Sequence, residues 1–206
     1  LSRWHDAATV EAQLYKTEMS NLELFGYGIK AHALSSIETA IEITRGEITA
    51  EEIRAIIDLA REMLDHPVEL LPGAAEVVPE LARRYRLLLI TKGDLRDQER
   101  KIRRSGLETC FEHIEILSEK TAPVYSRILS RHGIEPENFL MVGNSLKSDI
   151  LPVLDLGGHA VHIPYRITWQ HERAEPPTDP ERTRRFHPIR RLADLPGLLA
   201  RLHAPA

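Results

Sequence analysis

FLMVGNSLKSDI, Phe139 to Ile150, is the stretch on which the reading of this chain turns. Its apolar run, Phe139 to Val142, predicts a short strand buried on both faces, as in a parallel sheet. Gly143 allows a sharp turn. Asn144, Ser145, Ser148 and Asp149 then place oxygen and hydrogen-bonding groups just beyond the strand's carboxyl end. That edge is where open α/β sheets bind ligands. A helix over Lys147 to Leu156 follows. Taken alone, the stretch reads equally well as an ordinary strand-to-helix turn capped by Asn144 or Ser145.

Working outward, the helix–strand alternation on either side of this stretch sets the fold class. After Pro72–Gly73 the pattern predicts a helix over Ala74 to Arg84, a buried strand over Leu87 to Thr91 and a helix over Asp94 to Ser105. A strand over His113 to Leu117 follows. Pro123 to His132 reads as a helix, with Pro in the first turn and Gly133 beyond its end. Beyond the central stretch come a strand over Ala160 to Ile163, a loop over Pro176 to Pro180, a weak edge strand over Phe186 to Ile189 and a helix over Leu195 to Leu202. Alternation of this kind implies an α/β fold with a Rossmann-like, doubly wound parallel sheet.

Residues 1–71 have a different pattern, with helices only. Val10, Leu14, Leu22 and Phe25 mark a first helix over Ala7 to Leu24, interrupted by Gly26 to Gly28. Ala33 to Thr44 presents Leu34, Ile37 and Ile41 on one face. Thr49, with Glu52 three residues later, forms a capping box that opens a third helix, and Pro67 ends it. The chain therefore divides into a helical domain, 1–71, and an α/β domain, 72–206.

Composition narrows the class. The chain has 206 residues, 42% hydrophobic, enough for a core. A net charge of −4 gives no reason to expect nucleic acid. The Arg182, Arg184, Arg185, Arg190, Arg191 run reads as a solvated face. One cysteine, Cys110, excludes an intrachain disulfide and fits a reducing, cytoplasmic compartment. No apolar run is long enough to span a bilayer. Residue 1 is Leu rather than Met, and the natural start is expected upstream.

Three polar sites carry the chemistry. Thr91 ends its strand and leads through Lys92 and Gly93 to Asp94 at a helix start, a place suited to phosphate. The same Thr91 also reads as a helix cap. Lys120 follows the His113–Leu117 strand, where it can neutralise phosphate or a carboxylate, and read alone it is equally an ordinary solvated lysine. The third site is Asn144 to Asp149.

In this order, strand-Thr, Lys-x-x-Pro and strand-GNSxxxxD, the motifs resemble those of the haloacid dehalogenase superfamily of phosphohydrolases. The resemblance covers Pro72 to about Ile163. The Gly157–Gly158 turn, the His162–Tyr165 strand end and Trp169 resemble the C-terminal part of one bacterial branch. It implies that Thr91, with Lys92, binds the transferring phosphoryl group. It implies that Lys120 steadies the nucleophile and the phosphoryl charge, and that Asn144 and Asp149 hold Mg²⁺. Residues 1–71 resemble the family's helical cap, where Tyr27 and Lys30, on a glycine-flanked loop, are candidates to contact substrate. A helix–helix turn with Tyr27 in the core is equally consistent with that stretch.

Two departures stand out. The family's fourth motif usually has Asp where this chain has Asn144, which keeps an oxygen donor but removes a charge. The family's first motif, a strand ending in Asp-x-Asp that supplies nucleophile and general acid, is absent from the sequence. Such a strand is expected to precede these residues. The implied activity is Mg²⁺-dependent hydrolysis of a small phosphorylated metabolite through an aspartyl-phosphate, and the sequence leaves a homodimer open. A metal-free 2-haloacid dehalogenase is disfavoured by the Gly-Asn-Ser loop. A non-catalytic binding module is the reading that the missing Asp-x-Asp would favour.

Overall fold

A computed structural model describes residues 3–166 and 169–202. Leu1 and Ser2, with which the helical segment opens, lie outside the described residues. The chain forms two compact units. The first comprises 1–69, 89–108 and 114–118, and the second 70–88, 109–113 and 119–206.

In the first unit the helices α1 (Ala7–Phe25), α2 (Ile29–Ile43) and α3 (Ala50–Asp65) follow one another. Asp6 caps α1 by accepting the Thr9 N–H at 2.9 Å. The Thr49–Glu52 box at α3 is complete, with reciprocal bonds of 3.2 and 2.9 Å. The face that α1 and α2 bury differs from the expected one. Thr17 and Asn21 of α1 and Ser35, Thr39 and Ala40 of α2 are buried, whereas Leu34 and Ile41 are 48% and 42% exposed. Small side chains let two helices approach closely. Asn21 is satisfied across the seam, its amide donating to Ser35 Oγ at 3.2 Å and to Glu38 at 2.6 Å, while Thr17 Oγ1 donates to the Gln13 carbonyl of its own helix at 3.1 Å and Thr39 Oγ1 is buried without a hydrogen-bond partner among the described residues.

The same unit holds β1 (Leu88–Lys92), α5 (Leu95–Ser105) and β2 (His113–Leu117). The strands β1 and β2 form a two-stranded sheet. Asp94 caps α5 through the Asp97 N–H at 3.1 Å, and Gly106 ends the helix in the left-handed region.

The second unit is layered. Strands β3 (Leu140–Gly143), β4 (His159–His162) and β5 (Phe186–Pro188) form a parallel sheet, with Val142 opposite Val161 and Val161 opposite His187. One face packs on α4 (Ala74–Ala82) and α9 (Leu195–Leu202). Val77, Leu81, Leu195, Leu198 and Leu199 there surround Val161, with Leu140 and Val142 partly buried against them. The other face takes Ile150 and Leu154 against Ala160, and Leu154 lies on α7 (Leu151–Asp155). Alternation of Ala160 and Val161 across the pleat sends one side chain to each layer. α6 (Ala122–Arg131) contributes Tyr125, Ile128 and Leu129 to the interior. Helices on both faces of a parallel sheet make this a Rossmann-like α/β core. The predicted loop over Pro176 to Pro180 runs into a short helix, α8 (Pro180–Arg185), opened by an Asp179 cap.

Candidate active site

The carboxyl end of β3 shows how the central stretch folds. Gly143 closes the strand, and the polypeptide then makes a single π-helical turn, Leu146–Ile150, before α7. Ser145 caps the turn by accepting the Ser148 N–H at 3.0 Å. The Ile150 N–H reaches back five residues to the Ser145 carbonyl at 3.2 Å. Inserting one residue into a helix turn in this way re-aims the side chains that follow, and such turns recur at functional sites. Here it turns Asp149 back over the strand end. Asp149 Oδ2 accepts the Ser145 N–H at 3.0 Å. A Cβ on Gly143 would lie 2.3 Å from that oxygen, so only glycine leaves room for the carboxylate.

Lys120 meets Asp149 from the loop between β2 and α6. Its Nζ donates to Asp149 Oδ1 at 2.7 Å, and the two side chains are only 10% and 7% exposed. A charged hydrogen bond this short and this buried is strong, and it offsets the cost of removing both ions from water. Asn144 lies on the exposed side of the turn, where its backbone carbonyl faces His162 Nε2 at 3.1 Å.

Two residues that sequence reasoning missed complete the surroundings. Tyr125 of α6 is fully buried, and its hydroxyl donates to the Ser148 carbonyl at 3.1 Å. Pro152, four residues on, has no N–H to offer that carbonyl. Burial, reinforced by the charges of Asp149 and Glu172, pushes the Tyr125 hydroxyl far above the usual phenol range and keeps it a donor. Glu172, in the turn Gln170–Glu172, accepts from Ser145 Oγ and Ser148 Oγ, each at 2.5 Å. Nothing in the sequence singles out either residue. A tyrosine in an amphipathic helix and a glutamate in a loop have no pattern of their own.

In the first unit, the remaining candidates gather around the end of β1. Thr91 Oγ1 donates to Gln98 Oε1 at 2.9 Å. Lys92 Nζ stands 4.0 Å from the centre of the Tyr27 ring, within cation–π range. Lys30 Nζ pairs with Asp94 Oδ2 at 2.8 Å. That hydrogen bond holds the Asp94 carboxyl below the usual carboxylate range, against the opposing effect of burial. Gly28, at φ +121°, lets the Gly26–Gly28 loop approach so closely that a Cβ there would lie 3.2 Å from the Asp94 backbone nitrogen. Tyr27, in the turn between α1 and α2, and Lys30, in the first turn of α2 rather than on the loop, thus lie against the loop that follows Thr91.

A family description of haloacid dehalogenase-like hydrolases matches residues 6–157, well over half of the chain. The chain belongs to this family. The chain is similar to a haloacid dehalogenase-like family hydrolase from Xanthomonas campestris. The two are 40% identical, with a TM-score of 0.85 over 98% of this chain and 79% of that one. N-acylneuraminate-9-phosphatase from Mus musculus is 32% identical over 129 residues, which is 58% of this chain and 51% of that protein. Glyceraldehyde 3-phosphate phosphatase from Pyrococcus abyssi is 33% identical over 100 residues, 46% of this chain and 42% of that protein. The alignment thus spans about half the length of the curated relatives that the chain matches.

Phosphatases of the haloacid dehalogenase-like family are generally metal-dependent, and the donors on the β3 turn are of a kind that bears on a cation. The oxygens on the β3 turn, a buried Asp149 carboxylate and the Asn144 amide, are of the type that a hard divalent ion takes, with no sulfur in the set. Among the described residues no three His, Cys, Asp or Glu side chains converge on one point. The residues present therefore fit one side of a metal site. No helix among the described residues is long and apolar enough to cross a membrane.

Proposed function

We propose that this haloacid dehalogenase-like hydrolase is a phosphohydrolase that acts on a small phosphorylated metabolite. The observation that carries the reading is the buried Lys120–Asp149 pair at the carboxyl end of β3. Its supports are the Thr91, Lys120 and Gly143–Asp149 motifs and the phosphatase names of the relatives.

The chemistry needs a carboxylate that attacks phosphorus, forming an O–P bond to an acyl-phosphate as the ester P–O bond breaks. A second acid protonates the leaving alkoxide, and water then hydrolyses the acyl-phosphate. Residues 1–206 contain no Asp-x-Asp and do not themselves supply that pair of acids. Within these residues, Lys120 supplies positive charge to the phosphoryl oxygens and orients Asp149. Thr91 supplies a hydroxyl and Lys92 a further cation for phosphate. Asp149 and Asn144 would hold Mg²⁺, which when bound offsets charge developing on the phosphoryl group. Residues 1–71 act as the substrate-selecting cap, with Tyr27 and Lys30 nearest the Thr91 loop.

The test is turnover of p-nitrophenyl phosphate and a panel of sugar and triose phosphates by the intact protein, with Mg²⁺ and with EDTA. The expected outcome is Mg²⁺-dependent release of phosphate. Release of halide from a 2-haloacid, with no phosphatase activity, would replace this reading with dehalogenation.

A further inference from the structure

Glu172 lies 27 positions beyond Ser145, outside every motif of the family resemblance, yet its carboxylate is committed to the turn that carries Asp149. Both serine hydroxyls of that turn donate to the same oxygen, Oε2. Neither serine is idle elsewhere. Ser145 Oγ accepts the Ser148 N–H at 3.0 Å, and the Ser145 N–H donates to Asp149 Oδ2 at 3.0 Å. A chain of hydrogen bonds therefore runs from Glu172 through the serines to Asp149 and on to Lys120 at 2.7 Å. The neighbouring Lys147 ties the same segment down, donating to the His171 carbonyl at 3.0 Å.

This arrangement bears on the amide at position 144. A turn that would bind a divalent cation gains affinity from the number of negative charges around it as well as from its ligands. Asn144 contributes a dipole where an aspartate would contribute a full charge. Glu172 brings a carboxylate to the same turn from a segment beyond β4. Its two serine contacts are charge-assisted bonds, which hold it in one place.

We propose that Glu172 is the positioning residue of this turn and supplies the negative charge that Asn144 lacks, acting on the cation through Ser145, Ser148 and Asp149 rather than as a ligand. The inference rests on the reading of the turn as a cation site.

The experiment is calorimetric titration of the intact protein with Mg²⁺ alone, with the Mg²⁺-induced rise in Tm as a second readout. Glu172→Gln keeps the shape and an acceptor oxygen but removes the charge. It should weaken Mg²⁺ about tenfold, an effect consistent with one charge acting across a partly solvated distance. Adding Asn144→Asp to that variant should restore the affinity to within about threefold. Wild-type affinity in Glu172→Gln, or no recovery in the double variant, overturns the inference. If Glu172→Gln does not fold, Glu172→Asp carries the test. It keeps the charge, so it should retain Mg²⁺ affinity, and a tenfold loss there would overturn the charge role. Asp149→Asn distinguishes the cation site itself from the role of Glu172. If it leaves Mg²⁺ binding intact, the cation reading itself falls. If it abolishes binding while Glu172→Gln does not, only the role of Glu172 falls.

Discussion

Lys120 and Asp149 hold opposite charges 2.7 Å apart in a site that is nearly closed to water. The pair has two separable consequences. For stability, removing either partner alone leaves a buried charge uncompensated, at a cost of about 3–5 kcal/mol. For catalysis, Lys120→Met removes the cation proposed to neutralise the phosphoryl group. We expect kcat to fall by about 10³-fold, the upper range for losing one preorganised donor. The stability loss would obscure that result in the single variant, so the comparison to make is with Lys120→Met/Asp149→Asn. Two neutral partners should recover much of the lost Tm without recovering turnover. A single variant with full activity would remove Lys120 from the chemistry.

Among the elements, the π-helical turn Leu146–Ile150 is the one on which the site depends. Pro152 removes the α-spaced donor to the Ser148 carbonyl, and the Tyr125 hydroxyl donates to that carbonyl from α6. Tyr125→Phe keeps the ring and removes only the hydroxyl. It should cost about 0.5–1.5 kcal/mol, the net worth of one buried hydrogen bond, read as a lower urea midpoint with an unchanged slope. An unchanged midpoint would mean that the carbonyl has found another donor. The helices α1 and α2 make a related point. Their apolar periodicity predicted a Leu34–Ile37–Ile41 face, but close packing through Asn21, Ser35 and Thr39 turned Leu34 and Ile41 outward. Hydrophobic spacing identifies a helix more reliably than it identifies the face buried when small polar residues can form the seam.

At the scale of the whole molecule, stability should respond to mild acid. His159 on β4 and His187 on β5 approach at 3.4 Å between ring nitrogens. Burial lowers the pKa of both, with Arg185 adding to the effect on His159 and His159 to that on His187. The sign follows from proton counting. Below the ordinary histidine pKa of about 6.5, the unfolded chain takes up protons that the folded chain still refuses. Folding stability should be complete above that value and decline as pH falls from it toward the lowered pKa values. Urea midpoints measured between pH 7.5 and pH 5 should show the decline, and a His159→Phe/His187→Phe variant should flatten it. An equally steep decline in that variant would assign the acid response to other groups.

The order of helices and strands was legible in the chain alone, because each element is written in local terms. The Thr49–Glu52 box, the Asp94 cap, the glycine stops and the apolar runs at Leu87–Thr91 and Phe139–Val142 act over a few residues, and they placed most boundaries within a residue or two. The polar strand ends were legible for the same reason, since Thr91 and Gly143–Asp149 follow directly from their strands. What only the tertiary structure decided involves partners distant in sequence. Asp149 reaches Lys120 across 29 positions, Tyr125 reaches Ser148 across 23, and Glu172 reaches Ser145 across 27. Lys92 and Lys30 settle on Tyr27 and Asp94 in the same way. Such contacts depend on sheet register, on how helices pack and on one inserted residue in a helical turn. A glutamate in a loop looks the same in sequence whether it faces water or orders the turn beside it.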